Sequence, residues 1–365
     1  MILALCHVEA VLAEDFHRFW PDNLYAVDFV DKSTGFIAGY SGTLLRTTDG
    51  GENWEALYMG RNELIRRVDF VDADYGWAVG HRGSIFHSKD GGRNWEVQNS
   101  VANTFLRDVA FVDRNHGWVV GHESTILHTA DGGISWTAQR LDAYVGRDLP
   151  RLHGIVVRSA SEAALVGEFG VVAHTQDGGE HWSLVANESR GTLLSIAAVG
   201  DRYVVVGSDG VINLVSPVVS LSTSAVAEGT IAAAASAQSA TAEPAGQSAS
   251  PHVVEYQIQA LATGTSEHFF AVSSAGNDVA IAVGRSAVVK INGTVVSPLV
   301  ADDSVALPFS WYGGVAVLED GSFWLAGIRG AVARGDLASG SLTLAFNLAT
   351  SDRVVLTSSR WEKSQ

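Results

Sequence analysis

Short apolar runs cut by Gly, Asp and Asn make up the chain from about residue 25 onward. In one stretch, "VDFV" (68–71), "GWAVG" (76–80) and "SIFHS" (84–88) alternate with turn residues, and a fourth run follows Trp95. Runs of this length between turn formers predict strands joined by tight turns, not helices. We name the four strands a, b, c and d. The segment 66–95 aligns with 107–136 without a gap, so the four-strand unit is repeated.

The hairpin between c and d carries Ser/Thr-x-Asp-Gly-Gly-x-x-Trp four times. Its aspartates, Asp49, Asp90, Asp131 and Asp177, are 41, 41 and 46 residues apart. A period of about 40–45 residues suits one blade of a β-propeller. Glycine supplies the positive φ of the turn, and the Asp carboxylate accepts backbone N–H bonds. Trp54, Trp95, Trp136 and Trp182 are expected to bury apolar surface between blades. The boxes are therefore structural. A second mark, Gly-x-x-small at the b–c tip, begins at Gly39, Gly80, Gly121, Gly167, Gly207, Gly284 and Gly327. Seven tips predict an all-β, seven-bladed propeller of four-stranded blades, with Asp boxes in the c–d hairpins of blades one to four.

The one irregular step between tips, 77 residues, contains an Ala/Ser-rich segment, 218–251, almost without aromatic or charged residues. It offers little to bury and is expected to be a disordered insert in blade five, either a tether or a tolerated loop expansion. Strand d of that blade should resume within "HVVEYQIQAL" (252–261). The propeller is expected over 25–361. Ring closure stays open, with residues 1–24 or the strand-rich 341–361 as sources of a closing strand. Residues 1–24 are either a shortened or degraded signal peptide cut near Glu14 or a plain N-terminal segment. Leu5 is too large for the position before a lipidated Cys6.

Forty acidic residues against 24 Lys plus Arg give a formal charge of −16. This argues against nucleic acid and anionic membrane surfaces as partners. No stretch is apolar enough to span a bilayer, and a single cysteine permits no internal disulfide. A monomer without cofactor or metal is expected. His87, His128 and His174 recur once per blade beside the boxes, too far apart to share a zinc ion, and read as packing residues.

The repeat "DVAFVDRNHGWVVGHESTILHTADGGISW" resembles the blade of the photosystem II assembly-factor propellers. The resemblance is strong over 25–187, weaker over 188–216 and 265–338, and absent in the insert and tail. It implies a non-catalytic propeller that binds a membrane protein or its precursor outside the cytoplasm, on the periplasmic or lumenal side. A cytoplasmic site stays open. Non-photosynthetic bacterial members imply a transporter of the resistance-nodulation-division class as one such partner. The strong net acidity and the Ala/Ser insert depart from the photosynthetic members. The competing reading is a glycoside hydrolase of the sialidase or endoglucanase type, which also carry Asp boxes. Carboxylates converging in a deep channel mouth would favour it.

Alternate loops of a blade share a face, so the b–c tips and the entries to strand a lie opposite the Asp boxes. Residues read off that face are Arg66, Arg67, His81, Arg82, Arg107, His122, Arg151, His153, Arg285 and Arg329, with Tyr40, Glu123, Glu168 and Phe169 beside them. An Arg/His cluster in an acidic chain points to a carboxylate- or peptide-docking surface.

Overall fold

The computed structural model describes residues 23–59, 63–218, 254–276, 278–348 and 354–356. Within these the chain forms seven sheets arranged as a seven-bladed propeller, each built on four consecutive antiparallel strands, with a short parallel strand added at the outer edge of blades one and seven. Strand a of the successive blades spans Leu24–Phe29, Ile65–Phe70, Leu106–Phe111, Leu152–Val157, Leu193–Val199, Phe269–Ser274 and Tyr312–Val317. Residues from all seven line one central cavity of about 380 Å³. No helix among the described residues is long and apolar enough to cross a membrane.

Seven apolar clusters hold the ring, and each spans two neighbouring blades. The aromatic at the sixth position of strand a lies on an aromatic of the preceding blade. Phe70 stacks on Phe36 at 3.5 Å between centroids, Phe111 on Trp77 at 3.6 Å, and Phe29 on Trp324 at 5.6 Å. The last pair joins blades seven and one, so the ring closes by packing of sheet faces. Val354–Leu356 then adds a fifth strand to blade one, parallel to its strand d, Trp54–Tyr58. Ser341–Asn347 is strand d of blade seven, so only the end of the strand-rich tail is spare. Residues 1–22 fall outside the described residues.

The box tryptophans occupy the same seams. Trp54, Trp136 and Trp182 are buried and Trp95 is half-buried, each against the preceding blade. Burying about 150–250 Å² at about 25 cal/mol per Å² gives each indole on the order of 4–6 kcal/mol of gross transfer energy. Gln98 and Gln139 tie the boxes to the blade before them. Gln98 Nε2 donates to Gly132 O at 2.8 Å while its Oε1 accepts Trp136 Nε1 at 3.2 Å. Gln139 does the same with Gly178 O and Trp182.

Inside each box the labour is divided. The Ser/Thr hydroxyl accepts the buried N–H of the second glycine, at 2.9 Å for Thr47 and Gly51 and 2.9 Å for Thr175 and Gly179. The same hydroxyl donates to the Asp, whose Oδ1 accepts the N–H four residues on. Both glycines have positive φ, 72° and 85° in the first box, which an L side chain adopts only under strain. The Asn53 backbone N–H, followed by its side-chain amide, holds the Asp49 carboxyl below the usual carboxylate range.

The outer hairpin of blade five pairs Ile212–Pro217 with Tyr256–Ala260, with residues 219–253 outside the described residues. The disorder expected for 218–251 therefore falls almost wholly there. Blade six turns through Asn292 and Gly293 in place of a box.

The box geometry predicts which residue matters more. Thr175→Val leaves the buried Gly179 N–H without its acceptor and should cost about 1–3 kcal/mol. Asp177→Asn keeps an oxygen for the His181 N–H and should cost less than about 1 kcal/mol. Urea denaturation of both variants checks the order, and a larger loss in Asp177→Asn would contradict it.

Candidate docking site at the channel mouth

The last residue of strand b is glycine in every blade. A Cβ on Gly39, Gly80, Gly121, Gly167, Gly207, Gly284 or Gly327 would collide with the carbonyl oxygen of the residue just before strand a. The chain entering strand a thus crosses tightly over strand b, and the a–b register slips there. Ile65 pairs with Gly80 but Arg67 pairs with Val79, and the same skip follows the first residue of strand a in all seven blades. The skipped residues are Tyr25, Arg66, Arg107, His153, Leu194, Phe270 and Gly313. A β-bulge re-aims the side chain of its extra residue. Here it builds a ring of seven equivalent positions at the b–c end of the channel.

The ring has two sectors. Blades two to four supply Arg66, Arg107 and His153, all half-buried. Burial first, then Arg107 and Arg67, lowers the Arg66 guanidinium to about 9. Burial and Arg151 lower Arg107, and burial with Arg107 and Arg66 lowers His153 to about 3. Arg107 Nε and both ring nitrogens of His153 are buried without a hydrogen-bond partner among the described residues. The guanidiniums repel one another, and His153 is held neutral beside them. Phe105 floors this sector, 5.3 Å from the Arg107 guanidinium, 4.3 Å from His81 and 5.2 Å from His122. Blades six, seven and one supply the other sector. Tyr25 stacks on Trp311 at 5.6 Å, Trp311 meets Phe270 edge-on at 6.3 Å, and Arg66 lies 5.5 Å over Tyr25.

The remaining sequence-derived candidates are scattered. His81, Arg82, Arg285 and Arg329 are exposed at the b–c tips. Arg82 and Arg329 hold φ of 54° there, and every blade has a non-glycine residue of positive φ at this tip. Arg151 is exposed and pairs with Glu168 at 3.6 Å. Arg67 differs from the expectation of a mouth residue. Strand a begins at Ile65, three residues before the expected start, so Arg66 and Arg67 lie within it. Beyond the bulge, Arg67 turns into the channel and binds Asp108 at 2.7 Å with 24% of its side chain exposed. Tyr25, Phe105, Phe270 and Trp311 are absent from the sequence-derived set. Aligning the second position of strand a across blades would have found two of them.

The channel carboxylates serve the ring. Asp28 accepts Phe70 N at 2.8 Å, Asp69 accepts Phe111 N at 2.8 Å, and Asp108 accepts Ile155 N at 2.9 Å, each from the next blade. Ser195 and Ser273 make equivalent bonds to Val272 N and Val317 N. Where blades four and seven carry Gly154 and Gly314, a Cβ would crowd the next strand's backbone, and the strands meet directly. The histidines beside the boxes pack on aromatics, His87 stacked on Trp77 at 4.6 Å and His128 tilted against Trp118 at 4.4 Å. One group with metal-ligand spacing exists among the described residues, the exposed Asp177, Glu180 and His181 on the box face.

The sequence model of the photosystem II assembly factor YCF48 matches residues 18–99 and 97–284, well over half of the chain. The chain belongs to this family. Its fold is shared with YCF48 from Cyanidioschyzon merolae, at a TM-score of 0.63 and 16% identity over 87% of this chain and 97% of that one. A structure of YCF48 bound to D1 peptide is similar at a TM-score of 0.53 and 20% identity, covering 77% and 81%. The GH74 xyloglucanase from Xanthomonas campestris is also similar, at 0.60 and 14% identity, covering 90% of this chain and 55% of that one. No curated protein sequence matches. In this YCF48-family chain the mouth combines the Arg/His sector with an aromatic one.

The channel makes a pH prediction. Burial raises Asp28 to about 6, and burial together with Asp28 raises Asp69 well above the carboxylate range. The folded state therefore holds more protons than the unfolded chain above the ordinary Asp value near 3.9, and stability falls as pH rises toward about 6. Asp28→Asn keeps an oxygen for Phe70 N–H and removes the charge. It should raise stability at pH 8 by on the order of 1–3 kcal/mol and change it little at pH 4. Equal effects at the two pH values, measured by chemical denaturation, would contradict this.

Proposed function

We propose that this propeller is a non-catalytic docking protein that acts as an assembly or accessory factor for a membrane protein or its precursor. The channel mouth binds an acidic segment of that partner. The observation that carries the reading is the half-buried cluster of Arg66, Arg107 and His153, in which Arg107 Nε and both ring nitrogens of His153 have no hydrogen-bond partner among the described residues, in a chain of net charge −16. A carboxylate would supply the Arg107 Nε–H with an acceptor and relieve the mutual repulsion of the guanidiniums, and the planar guanidinium can hold one with two bonds. Family membership supports the role, and the YCF48 structure with a bound D1 peptide supports peptide binding by this fold. A binding role is favoured over glycoside hydrolysis because Asp28, Asp69 and Asp108 already accept backbone N–H groups across blade seams. We place the protein outside the cytoplasm. A transporter of the resistance-nodulation-division class is the first partner to test by co-purification.

The test uses a fluorescein-labelled peptide with two adjacent glutamates and blocked ends. Arg66→Glu with Arg107→Glu should weaken its binding at least tenfold, about 1.4 kcal/mol, with the largest difference at low salt. Both side chains are half-buried, so an unchanged melting profile must accompany the result. Unchanged binding in the folded double variant would remove the site from the mouth.

A further inference from the structure

The aromatic sector of the mouth is left unused by an acid-binding role. Phe270 and Tyr25 are aimed by the same bulge that aims Arg66 and Arg107, and Trp311 lies between them. All three rings are half-buried, so each retains a solvent-facing portion. They differ in this from the seam aromatics, such as Trp77 and Phe36, which are fully covered. His268 continues the row, 6.4 Å from Phe270. Its Nδ1 accepts the Asp209 N–H at 3.0 Å, which fixes the ring at the edge of the mouth. Resting on the docking reading above, we infer that Tyr25, Trp311 and Phe270 form a second subsite, which takes a large apolar side chain of the same partner segment whose carboxylate is held by Arg66 and Arg107.

The geometry sets the spacing of the two anchors. The steps from Arg66 to Tyr25 and from Tyr25 to Trp311 are 5.5 and 5.6 Å. Extended chain advances about 3.4 Å per residue, so about three residues span both steps. An acidic residue and an aromatic or large aliphatic residue about three positions apart would therefore reach both sectors together. Aromatic rings favour other rings through offset or edge contacts. The occupant is a segment of a protein chain. Beyond the ring, the same face exposes Tyr40, Val145, Leu149, Phe169 and Phe309, the last 89% exposed, and a polypeptide continuing outward can cover them. Ser286 pins the Phe309 turn to the blade-six tip through Ser310 O at 3.0 Å and Pro308 O at 3.1 Å, so this apolar rim is held in place.

The test compares two blocked peptides on the full chain, Gly-Glu-Glu-Ala-Ala-Trp-Gly and the same peptide with Ala in place of Trp. The Trp peptide should bind at least tenfold more tightly. Trp311→Ala should erase that preference to within threefold while leaving the affinity for the Ala peptide unchanged. Tyr25→Ala is the second variant, should loss of Trp311 disturb folding, and it should act in the same direction. Equal binding of the two peptides, both weakened by Arg66→Glu with Arg107→Glu, would overturn the aromatic subsite and leave the docking site standing. A Trp preference that survives both Trp311→Ala and Tyr25→Ala would place the apolar subsite elsewhere and overturn the inference. Failure of both peptides to bind the unaltered protein would overturn the docking reading and the subsite with it.

Discussion

The apolar layer between adjacent blades governs the rest of the structure. Among the described residues no strand of one blade pairs with strand a of the next, so the ring coheres mainly by stacking sheet on sheet at seven seams. Aromatic pairs such as Phe36 with Phe70 and Trp77 with Phe111 set the distance between sheets. Once that distance is fixed, the seven strands a enclose a cavity. Their backbone N–H groups on the seam side then need acceptors from the neighbouring blade. Asp28, Asp69, Asp108, Ser195 and Ser273 meet that need, which is why carboxylates sit in the channel without implying chemistry there.

The mouth follows from the same packing. A glycine ending strand b admits close passage of the chain into strand a, the register slips by one residue, and the extra side chain faces the entrance. The sequence can therefore vary this one position without disturbing a seam. Two blades use it for arginine, one for a histidine that burial keeps neutral, and two for aromatics. The two arginines sit at reduced pKa and close to one another, an arrangement that costs stability in the free protein and that a bound anion would relieve.

Much of the architecture was legible because the repeat repeats its punctuation. The Asp-Gly-Gly turns and the seven Gly-x-x-small tips gave blade count and blade boundaries, since glycine at fixed offsets marks obligatory backbone conformations. The resumption of blade five near Tyr256 followed from that period. What was not legible depended on contacts between blades. Arg67 pairs with Asp108, 41 residues away, and that placed it in the channel and not at the mouth. Tyr25 and Phe270 read as ordinary strand hydrophobics, because nothing local distinguishes a bulged residue from a core one. Trp311 lies just outside its strand. The return of Val354–Leu356 to blade one has no periodic mark.

We propose that the protein works through the b–c face and not through its Asp-box face. The most direct measurement is site-specific photocrosslinking in the native cells, with a benzophenone amino acid replacing Phe169 on the mouth face or Ile134 on the box face. Both positions are exposed, so neither replacement should disturb the seams. Phe169 should give a discrete adduct with a membrane protein, lost when Arg66 and Arg107 are reversed in charge, and Ile134 should give none. A discrete adduct from Ile134, with none from Phe169, would contradict it.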